Sequence, residues 1–438
     1  MPNPTIHVFP NGLRLVYEKP KLKLPQTHLR AFCHVGSIHE PSDIRGAAHF
    51  IEHMCFKGSK HFPSWAAVNE PLSQSGAFFN ATTTKQYTVY KINCLDSYVH
   101  EFLRILADMM LLPKFDKAEY KLELNVVKEE MKMSKPESYV EKLVFSGTPY
   151  EDWVDHKSFH NPGCLPYEKV VDFYHKYYIP PNITLSIVSP IPLATILKYL
   201  AGTSFVTRAP CPRIIHPTLN FVPNTVIDSA SCESKYIFQS SSDSVTRVEI
   251  GFRICNQFQP DEFYILNVLR DILGGSMSSR LFVELRERRG LTYNSGANML
   301  LYEPAGVSIV HAITDVTRLI KDGSKPGVLP VLFGIIDDLI QRGVKEAEVK
   351  HSKTRIREQL KMESVERAGY NGIRVMLHNE TKILANPELY EECYKSITKT
   401  DVNAMIDKYF APRQLYFSVV GGKLPKKSEL MQFLASGH

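Results

Sequence analysis

The stretch HFIEH, residues 49–53, contains three side chains that could take part in metal chemistry. On an α-helix, residues four apart share a face and residues three apart lie beside them, so His49, Glu52 and His53 would converge on one side. Two imidazoles spaced in this way can bind one Zn²⁺ and leave the carboxylate beside a water molecule, which is the His-Glu-x-x-His pattern in reverse order. Two helical histidines are also common without a metal. A third protein ligand is needed to decide, because a hydrolytic zinc site has three.

A carboxylate from a second helix could supply that ligand. Residues 117–133, KAEYKLELNVVKEEMKM, have the pattern of an amphipathic helix and contain Glu123 and Glu130. Seven residues apart, these two carboxylates share one helix face. Glu129 competes as the third ligand, but it follows Glu123 by six residues and lies off that face.

An internal repeat divides the sequence into two similar halves. Residues 117–133 align with residues 346–362, EAEVKHSKTRIREQLKM, with six identities in 17 positions at an offset of 229. Farther on, KYYIPPNITLSIV at 176–188 aligns with KYFAPRQLYFSVV at an offset of 232. Two matches in the same order and at nearly equal offsets predict a duplicated domain.

The candidate ligands occur in only one half of this repeat. Glu130 aligns with Gln359, and Glu123 aligns with Ser352. When GGS at 274–276 is placed over KGS at 57–59, the residues opposite the HFIEH triad are Leu266, Leu269 and Arg270. The second half is therefore predicted to keep the scaffold without the metal.

Both halves show the same order of strands and helices. The first begins with a predicted hairpin at Asn11-Gly12, a pair typical of tight turns. Strands mixed with helices that do not strictly alternate predict an α+β fold with two homologous domains, each an antiparallel-rich sheet packed by helices on one face. The predicted bounds are 1–204 for the zinc-binding domain, 205–233 for a Pro-, Ser- and Asn-rich linker, and 234–438 for the metal-free domain.

Composition argues against several other classes of protein. The chain has 52 Lys and Arg against 46 Asp and Glu, a formal charge of +6 without any basic block, so no nucleic-acid partner is expected. The longest apolar run of the C-terminal half is interrupted by two aspartates and is shorter than the ~18 residues of a membrane span. The eight cysteines form no Cys-x-x-Cys pair. Because no signal or transit peptide is visible, we expect a cytoplasmic protein without a membrane partner.

Several motifs together resemble those of the pitrilysin (insulinase) family of zinc metallopeptidases. They are FPNGLRLVYEKP, VGSIHEP, HFIEHMCFKGS and LGGSMSSRLFVELRERRGLTY. The resemblance covers nearly the whole chain. Within the family, the chain resembles the short two-domain form, that of the bacterial peptidases related to the mitochondrial processing peptidase. This resemblance implies the pitrilysin/LuxS-like metallohydrolase fold and one Zn²⁺ per chain.

The resemblance also implies the roles of the candidate metal-site residues. Glu130 follows His53 by 77 residues. In the family, the third ligand is a glutamate that follows the histidine pair by a similar number of residues. The implied ligands are His49, His53 and Glu130. Glu52 would be the general base, and Glu123 would orient a ligand histidine.

Two further regions resemble substrate-binding parts of the family. Residues 76–82 look like the active-site edge strand, with Asn80 and Ala81 placed to meet the substrate backbone. In the second half, Arg286 and Tyr293 match the arginine and tyrosine that reach the substrate near the zinc. Without the resemblance, RERR would be interpreted as a solvated, charged helix end.

The expected function is that of a zinc-dependent endopeptidase acting on peptides or unfolded polypeptide segments. Family members enclose substrate between four homologous domains and this chain supplies two, so a homodimer is expected. One alternative is a non-catalytic scaffold or partner subunit, whose mark would be a lost ligand or a lost Glu52. The other is a peptidase that removes targeting presequences, which only the substrate would distinguish.

Overall fold

The computed structural model describes residues 4–20, 24–133, 138–151, 164–212, 214, 235–362, 368–369, 371–373, 376, 387–412 and 414–435. Contacts group the chain into two compact units. Unit 1 comprises Met1–Lys135, Asp152–His216 and Lys361–Tyr390, and unit 2 comprises Pro136–Glu151, Pro217–Leu360 and Glu391–His438. Most of the predicted linker lies outside the described residues, so the predicted domain bounds stay a prediction.

Unit 1 contains a six-stranded mixed sheet. Its strands are β1 (Thr5–Val8), β2 (Arg14–Glu18), β3 (Gln26–Cys33), β4 (Phe78–Thr83), β5 (Thr88–Leu95) and β6 (Ile183–Val188). Their order in the sheet is β1-β2-β6-β3-β5-β4, with β2 and β6 parallel and the other neighbours antiparallel. Strand β4 thus lies at one edge of this sheet.

The sheet of unit 2 repeats this topology. Its strands are β7 (Lys235–Ser240), β8 (Thr246–Ile254), β9 (Asn294–Leu301), β10 (Gly306–Thr314) and β13 (Leu415–Gly421), in the order β7-β13-β8-β10-β9. A separate two-stranded ribbon pairs β11 (Lys321–Asp322) with β12 (Lys325–Pro326). Apart from β1, each strand of the first sheet has a counterpart at the same place in the second, which confirms the predicted duplication.

Helices follow the same duplication. Those of the first half of the sequence are α1 (Ala47–Cys55), α2 (Trp65–Gln74), α3 (Val99–Leu111), α4 (Lys117–Met133), α5 (Tyr139–Val144), α6 (Tyr167–Tyr177), α7 (Leu193–Ala201) and α8 (Ser204–Thr207). Those of the second half are α9 (Pro260–Gly274), α10 (Val328–Arg342), α11 (Glu346–Met362), α12 (Pro387–Ser396), α13 (Lys399–Tyr409) and α14 (Lys427–Ala435). The two segments aligned in the sequence coincide with α4 and α11, each 17 residues long.

The predicted N-terminal hairpin is confirmed in its place, since β1 pairs with β2. Its turn is longer than two residues, because Phe9 N donates to Leu13 O and Gly12 N donates to Phe9 O. Gly12 has a φ of 88°, a value that glycine adopts without strain. Asn11 has a different role: its side-chain amide donates to the carbonyl oxygen of Phe205, 2.8 Å away.

Each sheet is covered on one face by helices of its own half and on the other by a short segment of the other half. In unit 2, Phe252 of β8 packs against Phe410, whereas the neighbouring Gly251 contacts Val140 of α5. Because successive strand residues point to opposite faces, α5 covers the second face. In unit 1, Phe32 likewise forms a small buried cluster with Met376 on the face opposite the main core. The predicted helices thus cover one face of each sheet, and a segment of the other half covers the opposite face.

In the part of the chain that the structure describes, every helix is too short or too polar to cross a bilayer.

Candidate metal centre

Helix α1 carries His49, Glu52 and His53, and it packs against the core of unit 1. Its residues Ala47, Ala48, Phe50, Ile51 and Met54 are fully buried, and Phe50 packs edge-on against Tyr120 of α4 with ring centroids 4.6 Å apart. Helix α1 therefore buries most of its surface and holds the backbone of the motif in place. Its remaining side faces α4.

The first turn of α1 is fixed by a buried carboxylate. Glu40 is 6% exposed and accepts hydrogen bonds from the backbone N–H groups of Gly46, at 2.7 Å, and Ala48, at 2.8 Å. Gly46 has a φ of 92°, a left-handed conformation that favours glycine at the start of this helix. Burial raises the pKa of Glu40 to about 7, although the hydrogen bonds from Gly46 and Ala48 and the charge of Arg45 act in the opposite direction.

The imidazoles of His49 and His53 meet at their Nε2 atoms, which are 3.2 Å apart. The rings are nearly perpendicular, at 87°, with centroids 4.7 Å apart. Burial, together with the neighbouring His53, lowers the pKa of His49 to about 4, so this ring is neutral at pH 7. Neutral imidazole is the form that binds a metal.

Glu130 of α4 completes the cluster. Its Oε2 lies 3.4 Å from His53 Nε2, and its Oε1 lies 3.8 Å from His49 Nε2. Among the described residues, these three form the one group of His, Cys, Asp and Glu donors close enough to share a metal ion. The cluster includes Glu130 and not the competing Glu129.

The donor set fits Zn²⁺. Zinc–nitrogen bonds are about 2.0–2.1 Å and zinc–oxygen bonds about 2.0–2.2 Å, so donors at tetrahedral angles lie roughly 3.3–3.5 Å apart. The separations of 3.2 and 3.4 Å are close to that range, and the third, 3.8 Å, needs only a small rotation of the Glu130 carboxylate. Three protein ligands of these types are typical of catalytic zinc.

His53 is oriented from its other ring nitrogen. Its Nδ1 lies 2.8 Å from Glu123 Oε1, and the second oxygen of Glu123 forms an ion pair with Lys57. Burial lowers the pKa of His53, but the hydrogen bond with Glu123 and the nearby carboxylates raise it by more. Glu123 thus contacts His53, and its role in orienting a metal ligand stays a prediction. Lys57 was not singled out from the sequence although it follows His53 by four residues.

Glu52 lies beside the two histidines and is 8% exposed. Its Oε2 accepts a hydrogen bond of 2.6 Å from the hydroxyl of Thr83 on β4. Burial raises the pKa of Glu52, opposed by the Thr83 hydrogen bond and by the charge of His53. Thr83 was also missed from the sequence; strand periodicity was the available signal, because it lies on the same side of β4 as Ala81.

The predicted substrate-binding residues Asn80 and Ala81 lie on β4, the edge strand. The Asn80 side-chain oxygen accepts from the backbone N–H of Ala81 at 2.8 Å, and the Ala81 side chain is buried in the main core. One edge of β4 pairs with β5. The strand that carries these residues therefore also carries Thr83, the partner of Glu52.

Arg286 and Tyr293 belong to unit 2. Arg286 lies in a π-helical turn, Phe282–Glu287, and its guanidinium sits over the Phe282 ring and donates to the carbonyl oxygen of Tyr293 at 3.4 Å. The Tyr293 side chain is 67% exposed and precedes β9, the counterpart of β4. Their contact with substrate stays a prediction.

In unit 2, the helices equivalent to α1 and α4 are joined by an ion pair. Arg355 of α11 pairs with Asp271 of α9, where its Nε lies 3.0 Å from Oδ1, and it also donates to the Gly275 carbonyl at 2.7 Å. Arg355 Nη1 lies 3.3 Å from the side-chain oxygen of Gln359, the residue aligned with Glu130. The helix pair of unit 2 is thus joined by a guanidinium group.

Two family models match the sequence. The model described as "Insulinase (Peptidase family M16)" matches residues 21–152, and "Peptidase M16 inactive domain" matches residues 165–356. The first covers the candidate metal centre, and the second runs from α6 of the first half into α11 of the second half. All of the candidate ligands lie within the residues that the first model matches.

Similar proteins and structures are found in bacteria. An uncharacterized zinc protease, YmxG, of Bacillus subtilis is 28% identical over 318 residues, 70% of this chain and 73% of the relative. An uncharacterized zinc protease of Rickettsia bellii is 27% identical over 415 residues, 92% of this chain and 88% of the relative. The crystal structure of a protease from Helicobacter pylori superposes with a TM-score of 0.81 at 19% identity, covering 96% of this chain and all of that chain.

Proposed function

Because this chain belongs to the insulinase family of peptidases, family M16, we propose that it is a zinc-dependent endopeptidase that hydrolyses peptides or unfolded polypeptide segments. The observation that carries the proposal is the convergence of His49 Nε2, His53 Nε2 and the Glu130 carboxylate beside Glu52. The names of its bacterial relatives, uncharacterized zinc proteases, support zinc as the metal. A non-catalytic scaffold is disfavoured, since all three donors and Glu52 are present.

His49, His53 and Glu130 would hold the zinc, one ion per chain. Bound there, Zn²⁺ supplies a Lewis acid that polarises the scissile carbonyl and lowers the pKa of a water toward ~7. Glu123 keeps the Nδ1 proton of His53 on the side away from the metal and so presents the Nε2 lone pair to it. The protein thus fixes both the ligand orientation and the tautomer.

Glu52 is the proposed general base. Its Oε2 is held by Thr83, which leaves Oε1 to accept a proton from the attacking water. The protonated carboxyl then gives that proton to the nitrogen of the breaking C–N bond. A pKa raised by burial suits this double role, because a base works best with a pKa near the operating pH.

The remaining predicted residues would bind the substrate. Asn80 and Ala81 would meet an extended peptide along β4, as in the addition of a strand to a sheet edge. Arg286 and Tyr293 would hold the substrate carbonyl as negative charge develops on it. Because the family encloses its substrate with four such domains, the active form is a proposed homodimer; a single monomeric species in sedimentation at working concentration would count against it.

The test compares the wild-type protein with three variants by metal analysis and by mass spectrometry of a cleaved peptide library. In Glu52→Gln, the amide cannot accept the proton, and we expect zinc retention with a loss of about 10²–10⁴-fold in rate. Glu130→Gln should lose both zinc and activity. Its matched control, Glu129→Gln, should keep both.

Two results would overturn the proposal. Zinc-free wild-type protein that cleaves no peptide in the presence of added zinc would favour the scaffold. Full turnover in Glu52→Gln would remove Glu52 from its role. The cleavage sites in the library would also separate a general peptidase from one that removes presequences.

A further inference from the structure

One side of the edge strand β4 is exposed to solvent. Phe78, Asn80 and Thr82 are exposed, whereas Ala81 and Thr83 are buried on the side of the main core. We call the side formed by Phe78, Asn80 and Thr82 the open face. A peptide added along the outer edge of β4 would alternate its side chains in the same way, so every second side chain would lie beside the open face.

Lys91 of β5 brings a positive charge to the open face. Its Nζ donates to the hydroxyl of Thr82 at 3.2 Å, so the ammonium group reaches β4 from the neighbouring strand. Burial raises the pKa of Glu52, and the positive charge of Lys91 is among the effects that oppose this rise. The ammonium group therefore lies near the proposed base as well as on the strand that would bind the peptide.

The neighbour of Lys91 on its other side is also a cation. Arg30 of β3 lies directly opposite Lys91 in the sheet, and like charges in such a pair repel each other. The buried guanidinium group of Arg30 donates to the side-chain oxygen of Asn93 and to the carbonyl oxygen of Leu29, each at 2.8 Å. The Lys91 side chain extends the other way, toward the edge of the sheet.

Strand carboxylates lie far from the open face. Of the residues that β3, β4 and β5 place on this side of the sheet, none is an Asp or a Glu. The first carboxylate that the strands place there is that of Glu18 on β2, four strands from β4 or about 19 Å away. The strands thus make the part of the sheet next to β4 positively charged.

We propose that Lys91 selects peptides that carry an acidic side chain, Asp or Glu, at the position lying beside Thr82 on the open face. The inference rests on the proposed peptidase function and on the binding of the peptide along β4. Glu52 bonds to Thr83, whose side chain is on the opposite side of the strand. The preference should therefore occur at one position of the peptide and not at its two neighbours, whose side chains would point to the side of Glu52.

The expected effect is modest, because the charge pair would be exposed to solvent. Exposed ion pairs change an equilibrium by about 1.5–5-fold, and a lysine in the peptide would be repelled to a similar extent. We expect kcat/KM to be about 3-fold higher for Glu than for Gln and about 10-fold higher for Glu than for Lys. Salt should reduce both ratios, because the screening length falls from about 10 Å at 0.1 M to about 3 Å at 1 M.

The test uses a peptide taken from the library, with Glu, Gln or Lys placed at each position in turn on both sides of the cleaved bond. Gln has the shape of Glu without its charge. The wild-type protein is compared with Lys91→Met, Lys91→Glu and Lys91→Arg. The matched control is Lys198→Glu, which makes the same change in net charge at an exposed lysine of α7, a helix that packs against α3.

The ratio of kcat/KM between Glu and Lys peptides should disappear in Lys91→Met, invert in Lys91→Glu and persist in Lys91→Arg and in Lys198→Glu. Ratios within one variant are compared, so a general change in rate caused by the altered charge near Glu52 does not affect the result. Equal rates for the three peptides in the wild-type protein would overturn the proposal. So would a ratio that stays the same in Lys91→Glu, or one that changes equally in Lys198→Glu.

Binding of the same peptides to zinc-loaded Glu52→Gln protein, measured by fluorescence anisotropy, separates this proposal from the proposed function. Tighter binding of the Glu peptide that inverts when Lys91→Glu is added supports the role of Lys91 even if Glu52 is not the base. Equal binding of Glu and Lys peptides by a protein whose wild type cleaves them overturns that role and leaves the peptidase function in place. If the wild-type protein neither binds nor cleaves any of the peptides, both proposals fail.

Discussion

At the level of single residues, the centre depends on a chain of charged contacts that runs through His53. Lys57 contacts Glu123, Glu123 accepts from the Nδ1 of His53, and Nε2 of His53 faces His49 and Glu130. Each contact constrains the next one. A ligand histidine whose second nitrogen is held by a carboxylate binds metal more tightly, because ring orientation and tautomer are set in advance.

Lys57 is predicted to strengthen zinc binding although it touches no ligand. In Lys57→Met, Glu123 would lose its cation and the hydrogen bond to His53 would be less well fixed, so we expect zinc affinity to fall by about 10–100-fold. The measurement is competition for zinc with a chromophoric chelator at pH 7.5. Lys60→Met, an exposed lysine three residues farther on, serves as the control. Equal affinity in the two variants would contradict the prediction.

Residue spacing predicted part of this site and not the rest. His49, Glu52 and His53 were predictable because helical geometry depends only on sequence separation. Thr83 and Glu40 were not, because they reach α1 from a strand and from a loop, and such contacts follow from packing.

At the level of elements, α1 is held at its start by Glu40, and this contact should depend on pH. The pKa of Glu40 is raised from 4.5 to about 7 by burial, despite its two backbone hydrogen bonds. A raised pKa contributes stability below about pH 4.5, and this contribution is lost as the pH rises through about 7. The difference of about 2.5 units corresponds to about 3 kcal/mol at 1.36 kcal/mol per unit.

We therefore predict that the free energy of unfolding of the wild-type protein, relative to Glu40→Gln, falls by about 3 kcal/mol between pH 4.5 and 8. Zinc is removed first with a chelator, because protonation of the ligand histidines in the same pH range would release it and change the stability. Denaturant unfolding is followed by tryptophan fluorescence, because both tryptophans, at 65 and 153, belong to the first half of the sequence. A difference that does not vary with pH would show that Glu40 stays ionised throughout.

The helix pair α1 and α4 and its counterpart, α9 and α11, carry different side chains between the two helices. Between α1 and α4 lie two imidazoles and a carboxylate, whereas α9 and α11 are joined by Arg355 and Asp271. Ser352, aligned with Glu123, donates instead to the carbonyl oxygen of Val268. Arg355 and Ser352 of α11 thus both bond to atoms of α9, which is consistent with a structural role.

At the level of the whole molecule, zinc should stabilise one unit selectively. A ligand that binds only the folded state stabilises it by about 2.7 kcal/mol at 100 times its dissociation constant. All of the proposed ligands lie in unit 1. We expect zinc to slow hydrogen exchange of backbone amides in α1 and α4 and to leave α9 and α11 unchanged, measured by mass spectrometry.

The control for this experiment is Glu130→Gln, in which added zinc should have little effect on either unit. Equal slowing in α9 and α11 of the wild-type protein would mean that the two units open together. It would contradict the selective effect predicted here.

The sequence alone determined the duplication, the α+β class, the limits of α4 and α11, and the placing of two histidines and a glutamate on one helix face. These features depend on local periodicity and on similarity between two stretches of one chain. Tertiary structure decided which strand bonds to Glu52, which loop residue holds the first turn of α1, and which segments cross to cover the other half's sheet. These outcomes depend on contacts between residues far apart in the chain, and packing of the whole unit selects among the pairings that local geometry permits.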